Sequence, residues 1–157
     1  MPAFVRLRLA AFGLVVLTAL LALPGGALAD RVYHTERLAL APVASAPLRS
    51  GFVLNAHANG PRIYANERYV LVGAVPDTTY HVTLLIFPGD PTCTGVGAPI
   101  PTAELTTNAA GNGEAQARFL LADVPAELRG TTVGGLWQVS LEGVVVYQTA
   151  CTAIALD

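Results

Sequence analysis

Arg68-Tyr69-Val70-Leu71-Val72-Gly73-Ala74-Val75-Pro76-Asp77-Thr78-Thr79-Tyr80-His81-Val82-Thr83-Leu84-Leu85-Ile86-Phe87 is the stretch on which the fold turns. Two runs rich in Val, Leu and Tyr flank Pro76-Asp77-Thr78. Proline presets the backbone for a turn, and Asp and Thr support one with side-chain hydrogen bonds. The segments 68–75 and 79–87 are therefore expected as strands. In the second, Tyr80, Val82, Leu84 and Ile86 alternate with His81, Thr83, Leu85 and Phe87. A period of two is the signature of a strand. Both faces are partly apolar, which predicts a central strand covered on each side.

The same pattern extends outward in both directions. Strands are expected over 31–40, 51–58, 102–108, 114–121, 131–141 and 144–156, making about eight in all. Asn59-Gly60-Pro61 turns the chain after the second. In that strand Phe52, Leu54, Ala56 and Ala58 share the face assigned to the core, and Val53, Asn55 and His57 share the other. The segments 102–108 and 114–121 are expected to pair as a hairpin through Ala109-Ala110-Gly111-Asn112-Gly113. Ala103, Leu105, Thr107, Ala115, Ala117 and Phe119 would face inward from it. The segment 88–101 is too rich in Pro and Gly for regular structure, and 123–130 has room for one helical turn. Short strands at this spacing predict an all-β fold, a single antiparallel β-sandwich of about 7–8 strands.

The first residues differ from the rest. Arg6 and Arg8 precede an apolar run from Leu9 to Leu23, followed by Pro24-Gly25-Gly26 and Ala27-Leu28-Ala29. A positive start, a short apolar stretch and small residues before a cut define a secretory signal. The run is shorter than the ~20 residues that span a bilayer. Residues 1–29 are thus expected as a signal peptide cleaved between Ala29 and Asp30, and 30–157 as one domain, secreted or periplasmic. No tail pattern follows that would anchor it stably to a membrane.

The segment 30–157 holds seven Arg, no Lys and eleven Asp and Glu. Without a basic excess, nucleic acid and anionic membrane surfaces are poor partners. Cys93 and Cys151 are the only cysteines. An even count in an exported chain predicts a disulfide. Closing so long a loop should stabilise the fold by roughly 4 kcal/mol in the chain-entropy treatment.

The run Arg68-Tyr-Val-Leu-Val-Gly-Ala-Val-Pro-Asp-Thr-Thr-Tyr80-His-Val resembles the strand–turn–strand of fibronectin type III and related immunoglobulin-like domains. The stretch from Leu136-Trp137 to Tyr147-Gln-Thr-Ala-Cys151 is similar to the closing strands of exported bacterial domains of that architecture. The resemblance implies a sandwich in which Tyr80 packs into the core. It implies no activity, because that fold carries adhesion, carbohydrate binding and plain spacers alike. The Cys…Trp…Cys order of antibody domains is missing.

Chemistry-bearing residues are sparse. His34, His57 and His81 lack the local spacing of metal ligands and are expected as ordinary hydrogen-bonding histidines. Glu36, Glu67, Glu104, Glu114 and Glu142 are expected at solvated strand or turn positions. Asp77, Asp90 and Asp123 stand singly and are expected to form turns. Gly-x-Ser-x-Gly is absent, and Gly111-Asn-Gly113 precedes a strand where a nucleotide-binding loop would need a helix. No catalytic, metal or cofactor-binding residues are therefore assigned. Tyr33, Tyr64 and Tyr69 are either core residues or a contact face beside Arg side chains. The segment 88–101, tethered by Cys93, is expected to supply partner contacts through Phe87, Pro91 and Pro99, since a pre-ordered loop loses less entropy on binding. The leading expectation is an exported, monomeric, non-catalytic binding module for a protein or carbohydrate partner. The alternatives are a structural component of the envelope and, below both, an enzyme.

Overall fold

The computed structural model describes residues 34–57 and 64–156. The expected signal peptide with its cleavage site at Ala29 and Asp30, Tyr33, and the turn at Asn59-Gly60-Pro61 lie outside the described residues.

Ten strands follow one another among the described residues: β1 (His34–Ala39), β2 (Ala41–Pro42), β3 (Ser50–His57), β4 (Ala65–Val72), β5 (Thr79–Pro88), β6 (Ala98–Thr106), β7 (Gly113–Phe119), β8 (Thr131–Leu141), β9 (Val144–Gln148) and β10 (Thr152–Leu156). They form two antiparallel sheets packed on each other, a β-sandwich. One has the order β1-β3-β4-β7; the other has β2-β9-β8-β5-β6, with β10 also paired to β8. The central position expected for β5 is observed, between β6 and β8. Tyr80, Val82, Leu84 and Ile86 project from it into a core shared with Val53, Tyr69, Trp137, Val139 and Tyr147. Val75 donates its backbone N–H to the Tyr80 hydroxyl at 3.2 Å, tying the buried ring to the turn before it.

One of the eight expected strands, 144–156, is broken in two, and a two-residue strand, β2, follows the expected strand 31–40, which gives ten. At Leu40 the chain leaves β1 in one sheet and enters β2 in the other. Between β9 and β10, Thr149 replaces a ladder bond: its hydroxyl accepts the Trp137 N–H at 3.1 Å. The break carries Cys151 toward Cys93, and the two form a disulfide. That bond fits an oxidising compartment.

The expected hairpin of 102–121 is not formed. β6 pairs with β5 and β7 with β4, so the connection carries the chain from one sheet to the other. Turn residues at 109–113 are compatible with either course, and the inward pattern is the same in both. Leu105 and Thr107 are buried, and Ala103, Ala115, Ala117 and Phe119 are half-buried.

Part of 88–101 is also regular, against expectation. Pro99 and Pro101 lie in β6. That strand is at the sheet edge, where a missing N–H is tolerated. The remaining loop is ordered by Asp90. Its Oδ1 accepts from the Thr92 N–H and hydroxyl, and its Oδ2 accepts from the N–H groups of Thr94 and Gly95 and the Thr94 hydroxyl. The loop lies against β8 at Gly134, where a Cβ would meet the Asp90 carbonyl oxygen and, at 2.9 Å, the Cys93 sulfur.

Candidate functional site

Alternation along β4 sends Ala65, Glu67, Tyr69 and Leu71 to the interior. On the neighbouring β3, Val53 and Asn55 are buried and His57 is half-buried. The core face expected for β3 is therefore inverted, and with it the expected outward position of His57. The Phe52 ring instead lies under the Arg37 guanidinium, 4.1 Å from its centroid. A cation over an aromatic face lets a large apolar side chain sit on the outer surface at little cost.

The expected solvated position of Glu67 is likewise overturned. Glu67 is 3% exposed and stands directly opposite Asn55 in the β3–β4 register. Residues so paired across antiparallel strands have side chains about 5 Å apart on one face. The Trp137 indole N–H, from β8 in the opposite sheet, donates to Glu67 Oε2 at 2.8 Å. The Tyr69 hydroxyl donates to the same oxygen. Neither bond engages Oε1. Burial lifts the Glu67 carboxyl from its usual 4.5 to about 7, opposed by the hydrogen bonds from Tyr69 and Trp137, which favour the charged form. Burial, with Glu67 beside it, pushes the Tyr69 hydroxyl far above its ordinary value, so it remains a donor.

Asn55 is 3% exposed. Its Nδ2 is 3.1 Å from His57 Nε2. Its Oδ1 is buried without a hydrogen-bond partner. Such an acceptor costs roughly 1–3 kcal/mol when nothing reaches it.

Asn55, His57 and Glu67 border a solvent-connected cavity of about 660 Å³. Its walls come from both sheets and are mainly apolar: Leu84 and Ile86 of β5, Ala117 and Phe119 of β7, Ile154 and Leu156 of β10. Two 3₁₀ turns, Leu121–Asp123 and Ala126–Leu128, bring Val124, Pro125 and Leu128 to one end. A second cavity of about 240 Å³ lies toward β1 and β10, and Asn55, His57 and Ile154 border both. Glu36 lines the smaller one and accepts the Thr152 hydroxyl at 2.9 Å.

The residues favoured from sequence are placed differently. Phe87 is 6% exposed, and a Cβ on Gly97 would stand 2.7 Å from its ring. Pro91 and Pro99 are exposed. Four other residues of the same segment, Pro88, Ala98, Ile100 and Pro101, line the larger cavity. Tyr64 and Tyr69 are core residues. His81 faces solvent 3.4 Å from Glu104.

Sequence reasoning missed Glu67 and Asn55. The available signal was parity: Glu67 shares the alternation of Tyr69 and Leu71, and should face where they face. Chemically, the site offers acceptor oxygens and a carboxyl that exchanges its proton near neutrality, within apolar walls. No Ser or Cys is among the described lining residues, and no three His, Cys, Asp or Glu gather as a metal site among the described residues. Comparison of the chain with family models, curated proteins and solved structures finds no match.

Proposed function

We propose that this chain is an exported, non-catalytic binding module that takes a small, largely apolar molecule between its two sheets. The observation that carries this reading is the cavity of about 660 Å³ with apolar walls and a buried carboxyl at Glu67. Pockets for small ligands have this size and this make-up, a hydrophobic lining with a few polar groups that orient the occupant. A buried polar cluster would also suit an acid–base catalyst, but such chemistry needs a nucleophile or second proton carrier arranged around the carboxyl. The two side chains bonded to Glu67, Tyr69 and Trp137, are donors that hold it.

Export is supported by the start of the sequence and by the disulfide. A fibronectin type III-like reading of the sandwich is supported by strand order. β3, β4 and β7 stand where strands A, B and E stand, and β5, β8 and β9 where C, F and G stand.

The test is titration of the disulfide-bonded protein with N-phenyl-1-naphthylamine, an uncharged apolar fluorophore. Saturable one-to-one binding is expected. Ala117→Trp, which places a large ring at the cavity wall, should abolish it. Absence of saturable binding, or equal binding by Ala117→Trp, would overturn the reading.

A further inference from the structure

The two polar side chains that face each other across β3 and β4 each leave one oxygen outside their hydrogen bonds. Asn55 Oδ1 is a buried acceptor without a donor. Glu67 receives both of its hydrogen bonds on Oε2, leaving Oε1 without one. Both residues line the larger cavity. Cross-strand pairing sets their side chains about 5 Å apart, close enough for one small group to reach both.

A ligand that meets this pair must bring donors. An ether or ketone oxygen would add a third acceptor, and a hydroxyl has one proton for two oxygens. A primary ammonium has three N–H donors and a charge opposite to that of a carboxylate. In low-dielectric surroundings such a charge-assisted bond is stronger than a neutral one. The other charged or titratable groups lining the cavity are His57 on β3, Tyr64 before β4, Arg118 on β7 and Asp123 in the first 3₁₀ turn. Arg118 and Asp123 are exposed, where solvent screens them.

We propose that the ligand is an apolar molecule ending in a primary amine, with the amine seated between Glu67 Oε1 and Asn55 Oδ1 and the apolar body against Leu84, Ile86 and Phe119. This rests on the cavity being the binding site.

Three probes of equal heavy-atom count separate the two claims: n-octylamine, n-octanol and heptyl methyl ether. Binding is followed near pH 8 in physiological salt by calorimetry and by the fluorescence of Trp137, the only tryptophan. Octylamine is expected to bind at least about ten-fold more tightly than the ether, with octanol between. Asn55→Leu and Glu67→Gln should each reduce that preference several-fold and leave ether affinity nearly unchanged. Asn55→Leu removes an unsatisfied polar atom and should fold, so the test does not depend on the Glu67 variant. If the ether binds as well as the amine, the amine assignment falls and the cavity reading survives. An amine preference unchanged in both variants also refutes it, since the amine is then held elsewhere. If none of the three binds, both readings fall.

Discussion

Trp137 donates its indole N–H to Glu67 Oε2 at 2.8 Å, from one sheet of the sandwich to the other. The bond joins the largest buried side chain to a buried carboxyl that borders the cavity. A carboxylate there without partners would be strongly destabilising. Two donors on one oxygen reduce that cost, yet burial still dominates and holds the proton on to about pH 7.

Stability should therefore depend on pH through Glu67. The unfolded chain releases this proton near the usual 4.5 and the folded chain near 7. Between those values the folded state keeps a proton that the unfolded state has lost. The stability linked to Glu67 is thus greatest below 4.5, falls as pH rises through that window, and levels off above 7. The shift corresponds to roughly 3 kcal/mol. Glu67→Gln mimics the protonated form and lacks the dependence. Urea denaturation from pH 4.5 to 8 should show the variant gaining on the parent by about that amount, with contributions of other groups cancelling in the difference. A constant difference across the range would refute the buried proton.

The disulfide should carry a large part of the fold's stability. Its loop spans a sequence separation of 58. Removing the cross-link frees the unfolded chain by roughly 4 kcal/mol. Cys93→Ser with Cys151→Ser should lower the unfolding free energy by about that much, measured by urea melts without reductant. Titration of the denatured, unreduced parent should find no free thiol. A loss under about 1 kcal/mol would mean that the loop is held without the bond.

Asp90 is the obvious candidate for such holding. Its carboxylate accepts from the Thr92 hydroxyl and from backbone N–H groups of Gly95, Thr92 and Thr94, which together keep its pKa far below the ordinary value. Stability from a depressed carboxyl is present above its unfolded pKa and is lost only as pH falls through the folded one. The loop should stay ordered at pH 4. Asp90→Ala should speed amide hydrogen exchange at Thr92, Thr94 and Gly95 while leaving exchange in β5 and β8 unchanged. Slow exchange retained in the variant would assign the order to the disulfide alone.

Much of the fold was legible because alternation is local. Tyr80, Val82, Leu84 and Ile86 announce an inward face within eight residues, and the structure buries all four. Cys93 and Cys151 had no rival partners. Pairing was less legible. Nothing in residues 109–113 distinguishes a hairpin from a passage between sheets, because that choice depends on where β4 and β5 already lie. Pro99 and Pro101 argued against a strand until the edge position of β6 was known. The site was the least legible part. Asn55, His57 and Glu67 are polar, and hydrophobicity assigns polar residues to water. Their burial depends on donors 70 residues away in sequence, as between Glu67 and Trp137, and on the Arg37 that covers Phe52 outside.

The passage between sheets gives the last prediction. Gly111 has φ +72 and lies against Ala74, so that a Cβ would collide with the Ala74 carbonyl oxygen. Ala74 donates its N–H to the Gly111 carbonyl at 3.0 Å, and Gly73 donates to Asn112 Oδ1 at 3.1 Å. The corner before β7 is thereby stitched to the corner before β5. Gly143, in the turn between β8 and β9, has φ +81 and nothing within 4 Å of its Cβ position. Alanine at Gly143 should cost only the strain of a left-handed backbone, about 1–2 kcal/mol. Alanine at Gly111 meets the same strain and must also push the two corners apart, breaking hydrogen bonds worth about 1 kcal/mol each. Gly111→Ala should therefore be less stable than Gly143→Ala by about 2 kcal/mol or more in parallel urea melts. Equal costs would show that the corners can separate freely, and that the β6–β7 passage is not held where the sandwich places it.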